Sequence, residues 1–341
     1  MKSNNPITVG DETVEPGQRI SVNLPIADLY MGTSLGMPVN VICGRKPGPV
    51  LFVSAAIHGN ELNGVEIIRR LLKRKGLGAI HGTLLAVPVV NVHGFLNQSR
   101  YLPDRRDLNR SFPGSRTGSI AARLANTFLT EIVSKADYGV DLHTGAINRS
   151  NLPQIRANLD DEKTLELARV FGVPVVVNSD SLDGSLRACA VDRGIPMLIY
   201  EAGEALRFDE ISIRGGVRGV LNVMHSIGML PSIKGNKRGN PVEARSTRWV
   251  RAPSSGIVTA EVNLGTSVAK GDCLATIRSP LSELQDRLHA PFDGIVIGRN
   301  NLPLAHEGEA LFNLAAFKSV SRAELLVEEF TAEHDPELFN D

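Results

Sequence analysis

PVLFVSAAI (Pro49–Ile57) runs without a break into HGNELNGVEIIRRLLK (His58–Lys73). The first stretch is almost wholly apolar and rich in branched side chains. A strand that buries one face alternates; this one does not, so it reads as a strand covered on both faces. The second stretch has another period. Leu62, Val65, Ile68, Leu71 and Leu72 fall at helical spacing, with Arg69, Arg70 and Lys73 on the other side. A buried strand feeding an amphipathic helix is half of a βαβ unit.

The same alternation extends outward. Strands are predicted over 82–92, 137–143, 173–177 and 197–201, and helices over 120–135, 165–171 and 213–227. The expected fold class is α/β, a mostly parallel or mixed sheet with helices on both faces. The first 45 residues read as a strand-rich prelude, so that a first domain spans 1–235. A polar stretch over 234–248 (KGNKRGNPVEARSTR) reads as a linker. Beyond it, APSSGIV (252–258) and APFDGIV (290–296) repeat one unit 38 residues apart. Two copies of a small β unit predict a compact β-domain over 245–317. The stretch 318–341 is acidic and is expected to be a frayed helix or tail.

A chain of 341 residues has room for about two domains. Its 37 basic and 37 acidic side chains cancel, so no bulk charge advertises a nucleic acid or an anionic membrane as partner. No apolar run is long and unbroken enough to span a bilayer. Cys43, Cys189 and Cys273 are odd in number and far apart, which argues against a disulfide framework. The expectation is a cytoplasmic protein acting on a small molecule, with a homo-oligomer left open.

His58 and Glu61 are three apart at a strand-to-helix junction. If Gly59 and Asn60 make the turn, an imidazole and a carboxylate point to one spot, a pairing that suits zinc. DYGVDLHTG (137–145) places Asp141 and His143 on one strand face, with His143 at another strand's carboxyl end. Two histidines and a glutamate leave one coordination position open, as catalytic zinc sites do. One Zn2+ per chain is expected, held by His58, Glu61 and His143. SRYLPDRRDLNRSFP (99–113) gathers Arg100, Arg105, Arg106 and Arg110 around two aspartates and Asn109, the donors that carboxylate recognition needs. In MLIYEAG (197–203), Glu201 ends an apolar run and is a candidate general base.

HGNE (58–61), DLNR (107–110), DLHTG (141–145) and YEAG (200–203) occur in this order. Together they resemble the succinylglutamate desuccinylase/aspartoacylase family, a branch of the zinc carboxypeptidase superfamily. The resemblance covers roughly residues 45–315. It implies a zinc carboxypeptidase-like fold and zinc on His58, Glu61 and His143. It also implies a substrate carboxylate on Asn109 and Arg110, and Glu201 as general base and acid. Arg100 and Arg106 compete to be the arginine that polarises the scissile carbonyl. Asp107 resembles the carboxylate that supports a zinc histidine, and Asp141 is a second such candidate.

The implied activity is a zinc-dependent deacylase that hydrolyses an N-acyl amino acid or a similar small amide. Cleavage of an ester or a peptide terminus is the enzymatic alternative. A binding protein that kept the fold without the chemistry is the other. The repeat and GTSVAKGD (265–272) resemble half of a biotinyl/lipoyl-type carrier barrel, but the region between the halves, RSPLSELQDRLH (278–289), has no lysine to modify. Trp249 is expected to pack at the junction of the two parts.

Overall fold

The computed structural model describes residues 4–28, 30, 32–231, 241–244, 246–281 and 283–336. The chain opens with a hairpin of β1 (Ile7–Val9) and β2 (Glu12–Val14), then β3 (Arg19–Asp28), β4 (Ser34–Cys43) and β5 (Lys46–Ala55). Next come α1 (Asn63–Leu72), β6 (His81–Val87), α2 (Val92–Leu96), α3 (Ile120–Glu131), β7 (Tyr138–Gly145) and β8 (Arg149–Ala157). They are followed by α4 (Glu162–Phe171), β9 (Val175–Asn178), α5 (Leu186–Val191), β10 (Met197–Glu204) and α6 (Glu210–Ser226). The remainder holds β11 (Val242–Ala244), β12 (Ser246–Arg251), β13 (Gly256–Ala260), β14 (Ser267–Val268) and β15 (Cys273–Arg278). It ends with β16 (Gln285–His289), β17 (Gly294–Asn300), β18 (Leu304–Ala305), β19 (Ala310–Ala316) and α7 (Val320–His334).

One large mixed sheet dominates, in the order β12-β19-β17-β8-β10-β7-β5-β6-β4-β3. Its centre, β10-β7-β5-β6, is parallel. The flanks β3, β4 and β8 are antiparallel to their inner neighbours. The apolar run of β5 is divided between two cores. Leu51, Val53 and Ala55 pack with Ile67, Ile68 and Leu71 of α1 and with α4 and α6. Phe52 points the other way, to Leu124, Phe128 and Leu129 of α3 and to Leu186 of α5. Helices therefore cover both faces, as a continuous apolar strand requires. Ser119 starts α3 by accepting a hydrogen bond from the Ala122 N–H, and Asp209 starts α6 in the same way through Ser212. The strand predicted over 82–92 stops at Val87. Pro88 follows, and the Asn91 side chain caps α2.

The C-terminal part departs from its expected outline. Residues 234–240 and 245 of the expected linker lie outside the described residues. Val242–Ala244 of that stretch pair in parallel with β9, and Ser246–Arg251 pair with β19. Strand β17 pairs with β8, which joins β12, β17 and β19 to the large sheet. A second sheet, β16-β15-β13-β18, faces them across a core of Leu274, Ile277, Val296, Leu311 and Phe312. The repeated glycines, Gly256 and Gly294, open one strand in each sheet. The stretch expected to be a frayed helix or tail forms a helix that is docked rather than frayed; residues 337–341 of it lie outside the described residues. Ala323, Val327 and Phe330 of α7 are buried, and the Phe330 ring lies against Gly215 of α6. The acidic side chains dominate its composition, but an apolar stripe decides its position. Among the described residues, no helix is long and apolar enough to cross a membrane.

Candidate active site

The parallel strands β10, β7 and β5 end on one side of the sheet, where open α/β sheets bind ligands. At the end of β5, Ala56 adopts φ 52°, a left-handed conformation that bends the chain out of the sheet. The Glu61 N–H then donates to the His58 carbonyl at 3.0 Å, closing a turn with Gly59 and Asn60 at its centre. Gly59 is required there, because a Cβ would lie 2.0 Å from the carbonyl carbon of Gly94. The turn points His58 and Glu61 at His143 on β7.

His58, Glu61 and His143 are buried, and one ligand atom from each lies within 4.8 Å of the others. Nδ1 of His58 is 2.7 Å from one oxygen of Glu61, and Nδ1 of His143 is 2.9 Å from the other. The opposite nitrogens are also held. Nε2 of His58 is 3.1 Å from Asp107, and Nε2 of His143 is 2.7 Å from Asp141. Ser54 donates to the second oxygen of Asp141 at 2.7 Å. Each imidazole is thus fixed from behind by a carboxylate, the arrangement that orients metal-binding histidines.

The electrostatics agree with a cation site. Burial favours a neutral Glu61, but His58 and His143 outweigh it and hold the carboxyl well below the usual range. Burial also opposes charge on His58 and His143, yet Glu61 with Asp107, and Asp141 with Glu61, raise the two imidazoles. Glu61, Asp107 and Asp141 thus surround the two imidazoles with carboxylates that favour positive charge between them, a charge that a cation could supply in place of protons. Two imidazole nitrogens and a carboxylate are a donor set suited to zinc.

A crevice of about 440 Å³ opens onto this group, and Arg100, Asn109, Arg110 and Glu201 line it. Glu201 on β10 pairs with His143 in the parallel ladder, and its carboxylate accepts a hydrogen bond from Asn151 at 2.9 Å. The Asn109 side-chain oxygen accepts from the Leu186 N–H at 3.0 Å. This leaves its amide nitrogen as the end with no hydrogen-bond partner among the described residues. Arg100 donates to Asp107 at 3.0 and 3.2 Å and to Glu61 at 3.4 Å.

Arg106 is not brought to the crevice. A turn closed by hydrogen bonds between Leu102 and Arg105 and between Leu102 and Arg106 sends its side chain outward. There it is 60% exposed and 3.9 Å from Asp104. Of the two competing arginines, only Arg100 stands at the site.

Among the lining residues that the sequence reading did not assign to the site are Arg149, Asn151, Arg156, Arg187 and Trp249. Arg187 is buried. It donates to Ser179 at 2.8 Å and to the Asp180 carbonyl, and burial and the nearby Arg156 hold its pKa below the usual guanidinium value. The Nε of Arg156 is buried without a partner among the described residues. No motif announced these arginines. The one available signal was their unusual place between apolar runs, at Ile155–Arg156 and Leu186–Arg187.

The chain matches the model of the succinylglutamate desuccinylase/aspartoacylase catalytic domain over residues 47–227. The N-alpha-acetyl-L-2,4-diaminobutyric acid deacetylase of Halomonas elongata is 26% identical over 314 residues, 86% of this chain and 90% of that protein. A succinylglutamate desuccinylase of Pseudomonas aeruginosa is 26% identical over 213 residues, 58% of this chain and 63% of the relative. Among solved structures, the succinylglutamate desuccinylase/aspartoacylase of Rhodobacter sphaeroides superposes with a TM-score of 0.78 at 25% identity. That superposition covers 88% of this chain and 95% of the other. With its catalytic-domain match spanning more than half of its length, the chain belongs to the succinylglutamate desuccinylase/aspartoacylase family.

Proposed function

We propose that this protein is a zinc-dependent deacylase that hydrolyses the amide bond of an N-acyl amino acid or a similar small carboxylate-bearing amide. One observation carries the reading: His58, Glu61 and His143 converge within 4.8 Å in the crevice that Glu201 also lines. The names of the curated relatives, a deacetylase and a desuccinylase, support the same class of reaction.

His58, Glu61 and His143 would hold the metal, with Asp107 and Asp141 fixing the imidazoles. When bound there, zinc acts as a Lewis acid that lets water ionise near neutral pH. Asn151 holds one oxygen of Glu201, which leaves the other to take a proton from water and return it to the leaving amine. Arg100 stands where it can support the oxyanion that forms at the scissile carbonyl. Asn109 and Arg110 would grip a substrate carboxylate, so that attack proceeds within a bound complex. The three cysteines are unpaired, which fits the reducing environment of a cytoplasmic enzyme. The C-terminal strands read as a carrier-like barrel without a carrier role.

Metal analysis of the purified protein, followed by a panel of N-acyl amino acids and matched esters, tests the proposal. One zinc per chain and amide hydrolysis are expected. Stoichiometric metal surviving in a His58→Ala/His143→Ala variant, or esters cleaved while every amide is left intact, would overturn it.

A further inference from the structure

Glu201 is held by one side chain, and that side chain lies between two glycines. Asn151 of β8 donates to the Glu201 carboxylate at 2.9 Å, and no other hydrogen bond reaches that carboxylate among the described residues. An ionised carboxylate only accepts, so the amide nitrogen of Asn151 faces Glu201 and its oxygen faces away. In the sheet Asn151 pairs with Gly203 on β10 and with Gly298 on β17. With bare backbone on either side, the amide has room to lean towards Glu201, and the register of β10 on β8 shifts between Glu201 and Gly203.

The two glycines stand there for different reasons. Gly203 has φ 75°, a left-handed conformation that favours glycine in itself. Gly298 has no positive φ, so its backbone makes no such demand. What crowds a side chain there is the pair Asn151 and Asn313: a Cβ at Gly298 would lie 3.1 Å from Oδ1 of Asn151 and 3.2 Å from Cβ of Asn313. A glycine inside a strand weakens it and marks a close approach. The same edge is clasped again at the end of β10. Glu204 accepts from the Asn148 N–H at 2.9 Å, from Ser150 at 3.2 Å and from the Asn301 amide, just beyond β17, at 2.7 Å. The Asn301 N–H donates to the Asn148 carbonyl at 2.7 Å. The start of β8 is thus fixed from β10 on one side and from the C-terminal strands on the other.

We propose that Asn151 is the positioning residue of Glu201, and that Gly298 of β17 sets where Asn151 stands. The C-terminal strands are then a working part of the catalytic centre. They supply no group to the reaction, but they fix the asparagine that aims its base. A methyl group at Gly298 would press on the Asn151 oxygen and turn its nitrogen away from Glu201. Released at one oxygen, the carboxylate would rotate about its own side-chain bonds, whereas a general base must stay within reach of the proton it takes. The inference rests on the deacylase reading only for the duty of Glu201.

The test begins with the side-chain amide of Asn151 itself, observed by NMR in nitrogen-labelled protein loaded with zinc. Its NH2 signal is the one that disappears in Asn151→Asp. That signal should shift in Glu201→Ala, which removes the acceptor, and in Gly298→Ala, which displaces the oxygen. Asn301→Ala, at an exposed position, probes the C-terminal side a second way, since cutting the clasp should move the same signal. Hydrolysis is then read on the N-acetyl amino acid that the parent cleaves fastest. Asn151→Ala should lower kcat about 10- to 100-fold, with KM and zinc content within about twofold. Gly298→Ala should lower kcat about fivefold, but less than about twofold when added to Asn151→Ala, because the group it displaces is gone. Added to Glu201→Ala, Asn151→Ala should cost nothing further. An asparagine that only stabilised the sheet would instead lower the unfolding midpoint and add its loss to every background. An NH2 signal unmoved in Glu201→Ala, or unmoved in both Gly298→Ala and Asn301→Ala, overturns the inference. Hydrolysis indifferent to Asn151→Ala removes the positioning role and leaves the deacylase standing. A signal that responds to each substitution, in a protein that cleaves no amide, removes the deacylase and leaves the brace on Glu201.

Discussion

His143 is held on both sides, by Glu61 at one nitrogen and Asp141 at the other. Asp141 is in turn fixed by Ser54. Removing the charge behind the ring should loosen its orientation without touching the ligand itself. Asp141→Asn is therefore expected to weaken zinc affinity about 10- to 100-fold, measured by competition with a chelator. Unchanged affinity would mean that the ring is positioned by packing alone. Glu201 has a different duty. Glu201→Gln keeps the shape and the contact with Asn151 but cannot accept a proton. Metal content and KM should stay close to normal while kcat falls about 100-fold or more. The two arginines separate cleanly at this scale. Arg100→Ala should lower kcat/KM severely, because Arg100 touches both Glu61 and Asp107. Arg106→Ala should leave kcat/KM within about twofold, since its side chain is exposed and remote from the crevice. Equal losses in the two variants would show that the exposed loop folds inward on substrate binding.

At the scale of elements, α1 is tied to α6 by a short charged network. Arg70 donates to Glu66 on its own helix and, through both terminal nitrogens, to Glu210 at the start of α6. Hydrogen bonds from Arg69, working with Arg70 against burial, bring the Glu66 pKa down from its ordinary 4.5 to about 2. A carboxyl whose folded pKa is depressed contributes stability above its unfolded pKa. That contribution is lost as pH falls from 4.5 towards 2. Denaturant unfolding at pH 7 and pH 3 should therefore show Glu66→Gln less stable than the parent at pH 7, by about 1 kcal/mol or less, with the gap narrowing at pH 3. A gap that widens in acid would contradict the network. The turn from β5 to α1 was legible in the residues. His58, Gly59, Asn60 and Glu61 are adjacent, and a turn depends on neighbours. The loop carrying Arg100 and Arg106 was not. Both arginines sit in the same charged stretch, and which one faces the metal depends on a turn at Leu102–Arg106 that packs against residues distant in sequence.

Across the whole molecule, the last helix shows how far composition can mislead. Acidic residues suggested a frayed helix or tail; the helix forms, but it is docked, with Phe330 only 6% exposed and against Gly215 on α6. Phe330→Ala should cost about 3 kcal/mol in a chemical unfolding experiment, with kcat little changed. An unaffected midpoint would restore the tail. The alternation of strands and helices, the turn at His58–Glu61, and the pairing of Asp141 with His143 were all determined by the sequence alone. Each rests on periodicity or on contacts within a few residues, where the backbone leaves few choices. The tertiary structure alone decided which arginine stands at the site, that β17 joins β8, and that Trp249 of β12 lines the same crevice as Glu201. Those contacts join residues far apart in the chain. Their partners are selected by the shape left after every other element has packed, and no local pattern records that shape.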